Sequence, residues 1–156
     1  MGNNISKNIS YNEAVRSSVA QRYGLNNRPN IDILKQMKIT AENVFQPARE
    51  HFNVPLFISS FYRSLAVNRK AGGSSSSSHM RGEAIDIDCD VFGEITNAEL
   101  FDWLRENVEF DQLIWEFGTH KNPAWVHVSY SEGNNRGQVL VAYTDDKGRT
   151  KYKNWE

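Results

Sequence analysis

GGSSSSSHMRGEAIDID, residues 72–88, is where the reading of this chain begins. Two glycines and five serines make a loop with little side-chain bulk, and the segment after it alternates like a half-buried strand. Ile85 and Ile87 share one face; Ala84, Asp86 and Asp88 share the other. One face can therefore meet a core while the opposite face presents carboxylates. His79 lies in the loop seven residues before Asp86, so a loop nitrogen and a strand carboxylate can converge on one point. Spacing alone favours reading His79 as a loop histidine in solvent. A serine tract ending in His-Met also resembles an expression-vector remnant, but this one is internal and runs straight into a strand.

Working outward, Thr96 and Glu99 form a capping box for a helix to about Val108, with Leu100, Trp103 and Leu104 facing inward. Two strands are predicted next, FDQLIWEF (110–117) and AWVHVSY (124–130). Gln112, Ile114 and Glu116 share a face of the first; Trp125, His127 and Ser129 share a face of the second. If these strands pair, Glu116 and His127 project from the same side of the sheet as Asp86. A closing hairpin, GQVLVAY then RTKYKNW, turns at Asp146-Lys147-Gly148. Upstream, Ser64 caps a short helix that ends at Gly72-Gly73, and VPLFIS (54–59) reads as a buried strand. Thr40 is expected to cap a helix running to about Phe52, with Val44, Phe45, Ala48 and Phe52 as its apolar stripe. Pro47 should kink or split that helix. His51, near its end, suits the helix dipole better than a site. Residues 1–38 read as a lightly structured lead-in with a short helix around Tyr11–Val19. Helices early and mainly antiparallel strands later give an α+β fold in one domain. Its core is expected at about 30–130, between a polar N-terminal segment 1–29 and the C-terminal hairpin 137–156.

Charge and composition exclude several function classes. Eighteen basic against nineteen acidic residues leave a formal charge of −1, which is no footprint for nucleic acid or for anionic membrane. Cys89 is the only cysteine, so there is neither a disulfide framework nor a thiolate zinc cluster. Any metal must be held by nitrogen and oxygen. No run is long and apolar enough for a membrane span. The N-terminus, MGNNISKNISYNEAV, has no apolar signal core, which predicts a chain retained in the bacterial cytoplasm. Met1-Gly2 followed by Ser6 matches an acylation pattern only loosely. Two nitrogens and one carboxylate oxygen, from His79, His127 and Asp86, would make a catalytic zinc shell with its fourth position left to water.

SSFYRS (59–64), the string Ser77, His79, Gly82, Ala84 and Asp86, then FDQLIWEF and WVHVSY (125–130) together resemble the M15 zinc D,D-peptidases. The likeness is to the compact branch of the hedgehog/D,D-peptidase group often encoded by phages and prophages, and it spans roughly residues 30–130. It implies a mainly antiparallel sheet with helices packed on one side. It also implies one zinc ion held by His79, Asp86 and His127. Arg63 matches the arginine that binds substrate, and Ser77 a serine lining the cleft. Many members carry an acid three residues before the last histidine, where this chain has Ala124. Glu116, eleven residues upstream of His127, is the best replacement as general base, with Asp111 and His120 as fallbacks.

The implied partners are the stem peptides or crossbridges of bacterial peptidoglycan, and the implied state is a monomer. A D,D-carboxypeptidase, an endopeptidase released to the wall by a phage partner protein at lysis, and a cytoplasmic D-Ala-D-Ala dipeptidase all fit. The rival class is a non-catalytic zinc-containing binding module or a virion structural protein of the same fold.

Overall fold

The computed structural model describes residues 4–156; the Met1-Gly2 of the loose acylation match lies outside them. Where the sequence suggests a lightly structured lead-in, the chain is ordered into several short elements. Strands β1 (Asn4–Ser6) and β2 (Ile9–Ser10) form a hairpin, followed by helices α1 (Tyr11–Val15) and α2 (Ser18–Tyr23). The single helix expected around Tyr11–Val19 is thus two, because Ser10 and Ser17 each cap a new start. Gln46 ties the hairpin down, accepting from Ser6 Oγ at 2.9 Å and donating to Asn8 Oδ1 at 2.7 Å. Ile5, Ile9 and Ala14 join the main core.

Helix α3 (Ile31–Thr40) was not anticipated from the sequence; Asn30 caps it. It continues through a π-helical turn, Ala41–Phe45, into α4 (Gln46–Phe52). Thr40 therefore is not a cap: its backbone is helical and its Oγ1 donates to the Gly82 carbonyl at 2.8 Å. The division that Pro47 predicts does occur. Its ring and missing N–H disturb the carbonyl four residues back, and the wider turn ahead of it accommodates both. Strand β3 covers only Ile58–Ser60, shorter than VPLFIS suggests. Pro55 cannot donate to a ladder, and β3 is an edge strand with irregular register.

The remaining elements follow the sequence expectation closely. Helix α5 (Leu65–Ala71) has Ser64 as its N-cap and ends at Gly72; α6 (Asn97–Asn107) has the Thr96–Glu99 capping box. Strands β4 (Ala84–Ile87), β5 (Gln112–Glu116), β6 (Trp125–Ser129), β7 (Gln138–Thr144) and β8 (Thr150–Asn154) join β3 in one sheet of order β3-β4-β6-β5-β7-β8. All neighbours are antiparallel except β5 and β7, so the fold is α+β with a mainly antiparallel sheet. Asp111 sets the parallel pair: Arg136 grips its carboxylate through Nε and Nη2, each at 2.9 Å, and Gln138 N bonds its carbonyl at 2.9 Å. That aligns the starts of β5 and β7.

Alternation along the strands divides the sheet into two unlike faces. Ile85, Ile87, Leu113, Trp115, Val126 and Val128 meet Met37, Val44, Phe45, Leu100, Phe101 and Leu104 in the main core. Helices α3, α4 and α6 thus cover one face, with the Phe101 and Trp115 rings edge to face at 5.1 Å. The opposite face carries Asp86, His127 and Glu116, and it stays open. Gly82 closes the join between loop and helix. Its φ is +72°, and a Cβ there would lie 2.6 Å from Met37 Cγ and 3.1 Å from the Ile33 carbonyl. Gly82→Ala should destabilise the fold by about 2–4 kcal/mol, a left-handed penalty plus overpacking, read as a lower urea midpoint.

Candidate metal centre and cleft

The backbone hydrogen bonds of β4 and β6 bring the candidate ligands together. Asp86 and His127 are direct cross-strand partners, so their side chains leave the sheet side by side on the open face. His79 arrives from a short 3-10 turn, Ser78–Arg81, and is buried. Its Nδ1 lies 2.7 Å from the Phe61 carbonyl, which can only accept. Nδ1 therefore carries the proton, and the lone pair of neutral His79 is on Nε2, facing Asp86 at 3.2 Å. His127 Nδ1 lies 2.9 Å from the other Asp86 oxygen. One ligand atom from each residue falls within 4.8 Å of the other two. Two ligands on one zinc sit roughly 3.3–3.6 Å apart; the His79–Asp86 separation of 3.2 Å approaches this, and the His127–Asp86 separation of 2.9 Å is shorter. The donor set, two imidazoles and a carboxylate, fits a divalent metal. Burial pushes the Asp86 carboxyl up, but in metal-free protein the charge of a protonated His79 and hydrogen bonds from both protonated histidines outweigh it and hold it far below the usual carboxylate range.

Each residue of the loop-and-strand string has a physical reason to be there. Ser77 Oγ accepts from the His79 N–H at 3.3 Å, starting the turn, and from Arg63 Nη2 at 3.3 Å. Gly82 takes the left-handed conformation that ends the turn, and Ala84 is fully buried where the strand begins. Arg63 is positioned by its own N–H, which donates to the His79 carbonyl at 3.2 Å. Its Nε is buried and makes no hydrogen bond with the protein. That nitrogen is unsatisfied in the fold, while the residue as a whole lines the cleft and can offer guanidinium donors to a ligand oxygen there.

Position 124 holds alanine, and Glu116 stands on the neighbouring strand. It is the cross-strand partner of Trp125, and its carbonyl accepts from Ala124 N at 2.9 Å. Its side chain therefore enters the same cleft as His127, from the neighbouring strand. Glu116 is only 7% exposed. Burial is the main cause that pushes its carboxyl up to about 7; Asp86 adds to the rise and His127 opposes it. Directly after it, Phe117 adopts a left-handed backbone at φ 57° and Gly118 follows at φ 70°. This tight turn packs Phe117 against Trp125, ring centroids 5.5 Å apart, and ends β5 immediately beyond the carboxylate.

The raised Glu116 value has a consequence for stability in metal-free protein. Between about 4.5 and 7 the folded state holds a proton on Glu116 that the unfolded chain has released. Stability contributed by this group is therefore present below that window and lost as pH rises through it, by at most about 3 kcal/mol. Glu116→Gln should flatten the fall. Urea midpoints at pH 5 and pH 8, with chelator present, would show it. Asp86 acts in a separate, more acidic range and with the opposite sign.

The fallback bases are not in the cleft. The Asp111 carboxylate is committed to Arg136, whose hydrogen bond holds it below the ordinary range. His120 is exposed and borders a different cavity with Trp115 and Trp155. His51, also exposed, stacks on Trp103 at 4.7 Å. Cys89 is buried with its thiol pushed up to about 12, mainly by burial, and takes no part. The cleft itself has a volume near 820 Å³. Its lining includes Arg63, Ser77, His79, Asp86, Glu116 and His127, and also Tyr152 from β8, which sequence reasoning did not single out. The alternation of RTKYKNW could have put Tyr152 on a face, but not said which face would look into the site.

A family model described as Peptidase M15 matches residues 7–129 of the 156. The chain belongs to the M15 peptidase family. That makes it a member of a metallopeptidase family, and the paired histidines and aspartate of the cleft are the part of this peptidase suited to a metal. A comparison with curated protein sequences finds no match. Among the described residues, no helix is long and apolar enough to cross a membrane.

Proposed function

We propose that the protein is a zinc peptidase hydrolysing peptide bonds of bacterial peptidoglycan, with His79, Asp86 and His127 as metal ligands and the whole chain acting as one peptidase domain. The observation that carries this reading is the convergence of the His-Asp-His cluster and a buried glutamate of raised basicity in one open cleft. Bound zinc supplies Lewis acidity, lowering the pKa of water towards about 7 and polarising a scissile carbonyl. Glu116 takes a proton from the attacking water and delivers it to the leaving amine. Its elevated affinity for a proton suits both steps. Arg63, lining the cleft, donates from its guanidinium to substrate oxygen, a carboxylate or the developing oxyanion. Ser77 holds the guanidinium in that orientation. A chain with this activity would act on the wall when released at lysis, or on short stem fragments inside the cell.

Digestion of purified peptidoglycan with mass analysis of the products tests the reading. Peptide-bond products that require added metal, and identify the bond, support it. Stoichiometric metal binding with no cleavage would favour the non-catalytic module, a reading whose one support is the alanine at 124.

A further inference from the structure

The sheet continues well past the metal cluster, and its last two strands build a wall on the far side of the cleft. Strand register defines two rows across the open face. One runs Asp86, His127, Ile114, Leu140, Asn154; the other runs Trp125, Glu116, Ala142, Tyr152. Ile114, Leu140 and Ala142 form a small apolar cluster with Phe117, separate from the helix-covered core. Ala142 is the only residue between Glu116 and Tyr152 in its row, and it has the smallest side chain there. The Tyr152 ring therefore has nothing bulky between it and Glu116. Its phenol, pushed up first by burial and then by the charges of Glu116 and Asp86, reports the same proximity. Arg63 and the serine loop stand at the opposite flank, and both flanks line the same cavity.

We propose that the β7–β8 hairpin, which follows the family-matched segment, makes this cleft a trough for an extended peptide, and that Tyr152 is a substrate-contacting residue which selects for length. The proposal rests on the peptidase reading above. From β4 to β8 there are four interstrand steps of about 4.8 Å, or roughly 19 Å. An extended chain advances about 3.3–3.6 Å per residue, so the trough takes about five residues. A dipeptide at the metal cluster would not reach β8; a pentapeptide stem would. Ile114 and Leu140 then floor the trough under small apolar side chains, and the exposed ring of Tyr152 lines its β8 edge.

The test compares a peptidoglycan pentapeptide stem with D-Ala-D-Ala, using zinc-loaded wild type, Tyr152→Ala and Tyr152→Phe. Binding of both peptides to Glu116→Gln protein, with and without Tyr152→Ala, is measured by calorimetry. Tyr152 is 55% exposed on an edge strand, so both variants should fold, and thermal midpoints check this. The expected result is that Tyr152→Ala lowers the pentapeptide-to-dipeptide ratio of kcat/KM by about tenfold, mainly through KM, and weakens pentapeptide binding to match. Tyr152→Phe, which keeps the ring, should retain most of the ratio. An unchanged ratio, or equal losses on both peptides, would overturn the proposal while leaving the peptidase reading in place. If wild type binds pentapeptide but cleaves neither peptide, the peptidase reading fails and the binding ratio alone decides the wall. Absence of both binding and cleavage overturns the two together.

Discussion

Glu116→Gln should reduce peptide hydrolysis by about 10²–10⁴-fold while the protein keeps its metal and its fold. Glutamine preserves the size and most of the polarity of the side chain but cannot accept the proton of an attacking water. Glu116 is not among the residues that can share a metal in the structure, so metal content should stay at wild-type level. Burial of a neutral amide in place of a carboxyl whose value is already about 7 is also mild at neutral pH. Single-turnover assays on peptidoglycan fragments, alongside metal analysis, would make the comparison. Turnover within a few-fold of wild type would remove Glu116 from the mechanism and leave the cleft without a base. Asp111 could not take over, because it is held by Arg136 at the start of the β5–β7 pair.

The second large effect is expected at Asp86. It is the one residue that touches both histidines, and it sits on the strand that pairs directly with His127. Asp86→Ala should weaken zinc binding by at least about 10²-fold and remove activity with it, since even partners of ligands are worth 10–100-fold. A thermal readout separates this from misfolding. Free zinc at 100 times its Kd stabilises the native state by about 2.7 kcal/mol. For a chain of this length that is roughly 5–10 °C, gained on adding zinc and lost on adding chelator. In Asp86→Ala the midpoint should no longer respond to zinc. A wild-type protein that showed no zinc-dependent shift would argue against a resident metal at this cluster.

Several elements of this protein can be read directly from local chemistry. The Ser64 and Thr96–Glu99 caps, the strand at 84–87 and the turn before Gly148 need only neighbours in sequence, because capping, alternation and turn formation are satisfied within a few residues. The same locality put Glu116 and His127 on definite faces of their strands. Reading failed where a local rule met a distant partner. Thr40 looked like a cap, but its hydroxyl goes to Gly82, and the helix that begins at Ile31 passes straight through it. The N-terminal segment looked only lightly structured because its stabilising partners, Gln46 among them, lie far along the chain.

For the candidate site, sequence determined which side chains were available: two histidines and an aspartate with suitable spacing, a nearby arginine and a glutamate on an alternating strand. It could not bring them into one place. Convergence depends on strand register, and register is set by long-range pairing in which a slip of one residue would turn Asp86 or His127 into the core. The tertiary structure decided that Glu116 enters the cleft, since cross-strand pairing places it beside Trp125. It also decided that His120 faces another cavity and that Tyr152 faces the cleft, through the parallel β5–β7 pairing anchored by Asp111 and Arg136. The physical reason is the same in each case. Side-chain chemistry is local and written residue by residue, whereas the meeting of side chains is a property of backbone pairing across the whole sheet.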